Sequence, residues 1–112
     1  RYDYYRQGLE KVKGISFFAT NAEATNNFAY FPIIIEDDYG ITRDEIYDKF
    51  HESNIYARKY FYPITADQAC FRNKYKNNKL DVARYISQRV LILPFYEKMQ
   101  IGTIDTIIQI LR

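Results

Sequence analysis

The run "FAYFPIIIE", residues 28 to 36, limits the possible folds more than any other stretch of this 112-residue chain. Its aromatic and β-branched side chains fit a pleated, buried surface, so the run predicts a strand. Pro32 has no N–H to give to a ladder, which places that strand at a sheet edge or puts a bulge at the proline.

The segments around it supply the rest of a layered fold. "RYDYYRQGLEKVKG" has Tyr5, Leu9 and Val12 at helical spacing and closes at Gly14, with Lys11 and Lys13 near the negative end of the dipole. Because the chain opens inside that pattern at Arg1, it is expected to be a piece of something longer. "ISFFATNAEATNN" reads as a connection whose Phe17 and Phe18 pack on the domain. "EDDYG" is a solvated turn, since Glu36, Asp37 and Asp38 lack the ligand spacing of a calcium loop. Thr42 and Glu45 form a capping box that opens a helix running to about Glu52, with Ile46, Tyr47 and Phe50 inward. His51, the sole histidine, helps end that helix and rules out a two-imidazole metal site within the chain.

"NIYARKYFYP", residues 54 to 63, is expected to be the next strand. A period of two sends Ile55, Ala57, Lys59 and Phe61 one way and Tyr56, Arg58, Tyr60 and Tyr62 the other. Three tyrosines around an arginine supply rings, hydroxyls and a fork-shaped cation, a set that suits a phosphorylated or sugar-bearing ligand. The same face also fits an arginine paired with a carboxylate under rings that merely cover the sheet. "ADQACFRNKYKNNK", with Arg72, Lys74, Lys76 and Lys79, is an irregular basic loop. "LDVARYISQR" is a short amphipathic helix with Leu80, Ala83 and Ile86 on one side. "VLILP" is a brief strand stopped by Pro94, and "TIDTIIQILR" is a closing helix with Ile104, Ile107, Ile108 and Leu111 inward. The order predicts an α+β domain: a small, mainly antiparallel sheet with helices packed on one face and the other face free for a ligand or another domain.

Composition narrows the function. With 47% hydrophobic and 27% charged residues, the chain is a single globular domain able to bury roughly two-thirds of its unfolded surface. A net charge of +2 is too balanced to drive binding along a nucleic acid by itself. Cys70, the one cysteine, is expected to be a buried thiol in a reducing compartment. The longest apolar run, "FAYFPIII", falls far short of the roughly 20 residues that cross a bilayer, so a soluble, cytoplasmic product with no membrane partner is expected. No glycine-rich phosphate loop, paired zinc ligands or nucleophile motif is present, and no catalytic residue is assigned. Two readings outside enzymology are open on the residues alone: a module stacking RNA bases on its aromatic strands, and a dimerisation domain.

Four segments in order, "NNFAYFPIII", "GITRDEIYDKF", "NIYARKYFYPI" and "ISQRVLILPFYEKM", resemble the C-terminal small domain of the DegT/StrS family of pyridoxal-phosphate sugar aminotransferases. The resemblance runs from about Tyr5 to Leu111. It implies the small domain of a fold-type-I aminotransferase, with pyridoxal 5'-phosphate held on a lysine of a large domain absent here, so that this fragment binds no cofactor and is inactive alone. It implies amino transfer from glutamate to a nucleotide-linked keto sugar, packing against the chain's own large domain, and a homodimer when full-length, with no nucleic acid partner. By motif, Arg58, Tyr60 and Tyr62 become substrate contacts, with Asn27 and Tyr30 as weaker ones. Many members carry a histidine after the tyrosine of the first strand and another after "YP"; this chain has Phe31, Pro32 and Ile64, Thr65 at these places, changes that resemble the branch making 3-amino or related deoxysugars.

Overall fold

The computed structural model describes residues 1–71, 73, 74 and 79–112. Arg72 and Lys76 of the expected basic loop lie outside the described residues.

The elements are α1 (Tyr2–Leu9), β1 (Ile15–Ser16), β2 (Phe31–Ile35), α2 (Arg43–Glu52), α3 (Asp81–Arg89), β3 (Val90–Leu93) and α4 (Ile101–Ile110). The three strands form one antiparallel sheet in the order β1-β2-β3. Phe31, Ile33, Ile35, Leu91 and Leu93 share one face by register, and this face is buried under Tyr5 and Leu9 of α1, Ile46 and Phe50 of α2, and Ile104, Ile107 and Ile108 of α4. Alternation along the two strands thus builds the core from odd-numbered residues. The even-numbered set, Pro32, Val90 and Ile92, faces the opposite way, where Ile86 of α3 borders it.

Pro32 overturns one expectation. It sits in the middle strand, without a bulge, opposite Ile92. Ile92 spends both its N–H and its carbonyl on Arg58, at 2.8 and 3.0 Å, so the Pro32–Ile92 pair shares no ladder bonds and the proline nitrogen faces away from β3. On that other side β1 pairs only with Ile35 and Ile34. Continuing its register would bring Phe18 opposite a residue that cannot donate, and β1 stops at Ser16.

α1 ends at Leu9 rather than reaching Gly14. Gly14 instead shapes the entry to β1: its φ is +77°, and a Cβ there would lie 2.3 Å from the Tyr39 Cα. Gly8 permits the α1–α4 contact, since a Cβ on it would meet Ile108 at 2.4 Å. α2 begins at the expected capping box, with Glu45 N donating to Thr42 Oγ1 at 3.2 Å and Thr42 N to a Glu45 carboxylate oxygen at 2.7 Å. Thr42→Ala is therefore expected to cost about 1 kcal/mol, read as a lower urea midpoint with an unchanged slope.

The largest difference from the sequence reading is residues 54–63. Only Arg58 pairs with the sheet, as an isolated antiparallel bridge to Ile92. β3 is four residues long and runs into Pro94, so it offers the segment almost no ladder to join. Beyond Arg58 the chain turns, with Tyr62 N donating to Lys59 O at 2.9 Å. Cys70 is exposed, because the segment around it runs through surface turns that bury no side chain at that point. Among the described residues, no helix is long and apolar enough to cross a membrane.

Candidate ligand-binding cleft

The single bridge places Arg58 beside Ile92, and directly opposed residues of an antiparallel pair project to the same side. Ala57 enters the core while Arg58 emerges on the face opposite it. There a cleft of about 290 Å³ opens between Arg58, Tyr56, Tyr30 and the "LPFY" exit of β3, including Phe95 and Tyr96. Its floor is held from beneath, since Tyr5 donates its hydroxyl to Pro94 O at 3.2 Å. Burial pushes the Tyr5 phenol well above its ordinary range, so it remains a donor.

Tyr60 joins this group at the edge. Arg58 donates from Nη1 to the Tyr60 hydroxyl at 2.5 Å, and Tyr60 meets Tyr30 edge-on with centroids 6.0 Å apart. Three of the five candidate residues are thus brought together: Arg58, Tyr60 and Tyr30. Asn27 is exposed and does not line the cleft; its side-chain oxygen accepts from Ala29 N at 3.1 Å and shapes the turn leading to Tyr30. Tyr62 lies over the Arg43 guanidinium at 5.0 Å and lines no part of the cleft. Tyr96 and Phe95 were not among the candidates; the aromatic pair directly after Pro94 was the available signal.

Beside the cleft the sheet face is apolar. Phe61, 78% exposed and stacked on Tyr60, stands between a groove of about 340 Å³ over Pro32, Val90 and Ile92 and another of about 520 Å³ toward Ile64, Phe71, Leu80 and Ala83. Lys59 turns away to the α2 side, paired with Asp44 at 2.5 Å and resting on the Tyr47 ring at 4.1 Å.

Two carboxylates near this framework are shifted. Ser16 donates to Glu36 at 2.5 Å, Tyr85 also donates to it, and together they hold the Glu36 carboxyl below its usual range. For Asp44, burial pushes upward but is outweighed by Lys59 and Arg43, leaving it depressed as well. A carboxyl with a lower pKa in the fold than in the unfolded chain stabilises fully above its unfolded value, about 4, and loses that contribution as pH falls through the folded value. Melting temperatures are thus expected to be level near neutrality and to fall in the acid range, and Glu36→Gln should flatten that acid limb.

Pyridoxal phosphate requires a lysine amine in a desolvated pocket. Among the described residues the cleft is lined by an arginine and phenols and by no lysine, so these residues do not fit as the cofactor's anchor. Among the described residues, no cluster of three or more metal-ligating side chains occurs.

The structure presents a three-stranded α+β layer with an arginine and tyrosine cleft at one sheet edge. The chain belongs to the DegT/DnrJ/EryC1/StrS aminotransferase family, whose profile matches residues 1–112. It is 34% identical over 109 residues to a dTDP-4-amino-4,6-dideoxy-D-glucose transaminase of Shigella dysenteriae, covering 97% of this chain and 30% of that protein. A transaminase of the same name from Escherichia coli is 35% identical over 94 residues, covering 82% of this chain and 25% of that one. The chain therefore spans less than a third of the length of these relatives. Among solved structures, DesI in the presence of its TDP-sugar product superposes with a TM-score of 0.89 at 22% identity over 98% of this chain and 28% of that chain. The aminotransferase TlmJ from Streptoalloteichus hindustanus does so with 0.82 at 19% identity over 99% and 29%. At those identities the likeness speaks for the fold.

Proposed function

We propose that this chain is the C-terminal small domain of a cytoplasmic, homodimeric, pyridoxal-phosphate-dependent transaminase that moves an amino group from glutamate to a dTDP-linked keto-deoxysugar. The observation that carries this reading is the continuous 34% identity, across nearly the whole chain, to a transaminase named for such a sugar. The relatives' names point to amination at carbon 4, in place of the 3-amino branch suggested by the missing histidines.

Within this reading the cofactor supplies the amino-group transfer from the large domain, and this chain supplies recognition. A cleft of about 290 Å³ is at the small end for a ligand site, of the order of 300–1,000 Å³, so a nucleotide-linked sugar needs a second wall. The apolar grooves flanking Phe61 give the large domain a surface to close on and exclude water. Arg58 neutralises the diphosphate or a carboxylate, and Tyr60 and Tyr30 present hydroxyls to the sugar. Asn27 acts through the turn it holds, and Tyr62 through Arg43.

The test is the full-length protein supplied with pyridoxal phosphate, glutamate and a dTDP-linked 4-keto-6-deoxyhexose. Glutamate-dependent conversion of the keto group to an amine, seen by mass spectrometry, supports the reading. Conversion of only the 3-keto isomer moves the carbon, and a protein that takes up no cofactor ends the proposal.

A further inference from the structure

Arg43 is the most buried charged side chain described, 2% exposed, and it sits at the first position of α2. A cation out of water is costly unless its donors are matched. Here Nε and Nη1 are matched. Nη1 donates to Ser87 O at 3.0 Å and to Val90 O at 3.1 Å, at the end of α3, and Nε donates to Asp44 at 2.8 Å. The Ser87 carbonyl is among those a helix end leaves unsatisfied, and the Val90 carbonyl opens β3 just beyond it, so one role of Arg43 is to cap α3 where it runs into β3.

Two further contacts do nothing for a helix cap. The Tyr62 ring rests on the guanidinium at 5.0 Å, and Asp44, held by Arg43, also grips Lys59. These two attachments lie on either side of Tyr60 and Phe61 and directly follow Arg58. Past its one bridge, the run has no strand partner among the described residues to set its course. We infer that Arg43 is a positioning residue: through Tyr62 and Asp44 it staples residues 59 and 62 to α2 and so fixes where Arg58 stands in the cleft and Tyr60 at its edge. A role for that cleft in substrate binding rests on the function proposed above; the staple does not.

Tyr62→Leu separates the two roles, because it removes the ring contact while leaving the cap on α3 untouched. Tyr62→Phe keeps the ring and is the rescue. In the full-length protein, Tyr62→Leu and Arg43→Lys are each expected to speed amide exchange of peptides covering residues 58–63 by about tenfold, the scale of a partly desolvated cation–ring contact. Tyr62→Leu should leave peptides from α3 and from β2–β3 unchanged, Tyr62→Phe should match the parent, and the double variant should be no faster than the faster single one. The same variants should raise KM for the nucleotide sugar with kcat little changed. Unaltered exchange at 58–63 in Tyr62→Leu overturns the inference, whether or not KM moves, as does failure of Tyr62→Phe to rescue. The expected exchange pattern in a protein that aminates no nucleotide sugar leaves the staple standing and removes the proposed function.

Discussion

On the function proposed above, replacing Arg58 with alanine in the full-length protein is expected to raise KM for the dTDP-linked keto sugar by roughly thirtyfold, with cofactor absorbance intact. The estimate follows from one hydrogen bond to a charged group, worth about 2 kcal/mol, with each 1.4 kcal/mol being tenfold. Arg58 is exposed on the cleft side, its neighbour Ala57 carries the core packing, and its backbone bridge to Ile92 survives the substitution. Loss of recognition without loss of fold is therefore the expected pattern. Arg58→Lys should fall between the two, since it keeps the charge and loses the fork that matches two oxygens at once. Measuring both substrates assigns the anion: a shift confined to the sugar nucleotide places Arg58 on the diphosphate, and a shift confined to glutamate places it on a donor carboxylate. If neither constant moves, Arg58 leaves the site.

Phe31→Ala should have the largest effect on stability, about 3–5 kcal/mol for a fully buried ring that leaves a cavity. Phe31 is 1% exposed at the centre of an aromatic cluster, stacked on Tyr5 at 4.6 Å and edge-on to Tyr2 at 4.9 Å, with Phe17 and Phe95 at 6.1 and 6.3 Å. In the longer, multidomain protein proposed above a single unfolding midpoint is poorly defined, so the useful measurement is hydrogen exchange of the β2 and β3 amides. Acceleration by at least about a hundredfold is expected. Because Phe95 and the neighbouring Tyr30 both line the cleft, the same variant should also weaken sugar-nucleotide binding. Exchange close to that of the parent would show that the cluster collapses around the void.

How far the sequence disclosed this molecule depended on whether a feature was local. The capping box at Thr42 and Glu45 and the inward isoleucines of α4 rest on spacing within one segment and stand in the structure where spacing puts them; the strand expected over residues 28 to 36 from its composition forms over Phe31–Ile35, with Phe28 outside it at a φ of +53°. Residues 54–63 have strand composition but pair at one point, because pairing depends on a neighbour whose length is set elsewhere, by Pro94. The period of two still placed Ala57 inward and Arg58 outward around that point. It failed at Tyr62, which leaves the Arg58 side for the guanidinium of Arg43. Nothing at Arg43 itself signals burial: its partners are carbonyls more than forty positions away, at Ser87 and Val90. Tyr96 shares the cleft with Tyr30 only because β2 and β3 are antiparallel neighbours, a relation no single stretch encodes. Cys70 shows the converse, a residue type often found inside proteins lying on a turn at the surface.

The proline in the middle strand also bears on how copies of this domain behave together. Past Ile34, β2 has a side on which no strand pairs among the described residues, and such a flank ordinarily invites a foreign chain to zip alongside it. With the donor at position 32 deleted, an incoming segment meets a gap in the ladder two residues beyond the end of β1. The interruption that halts β1 thereby blunts templated growth of the sheet, leaving its sticky side chains free to meet a shaped partner instead of a stack of their own kind.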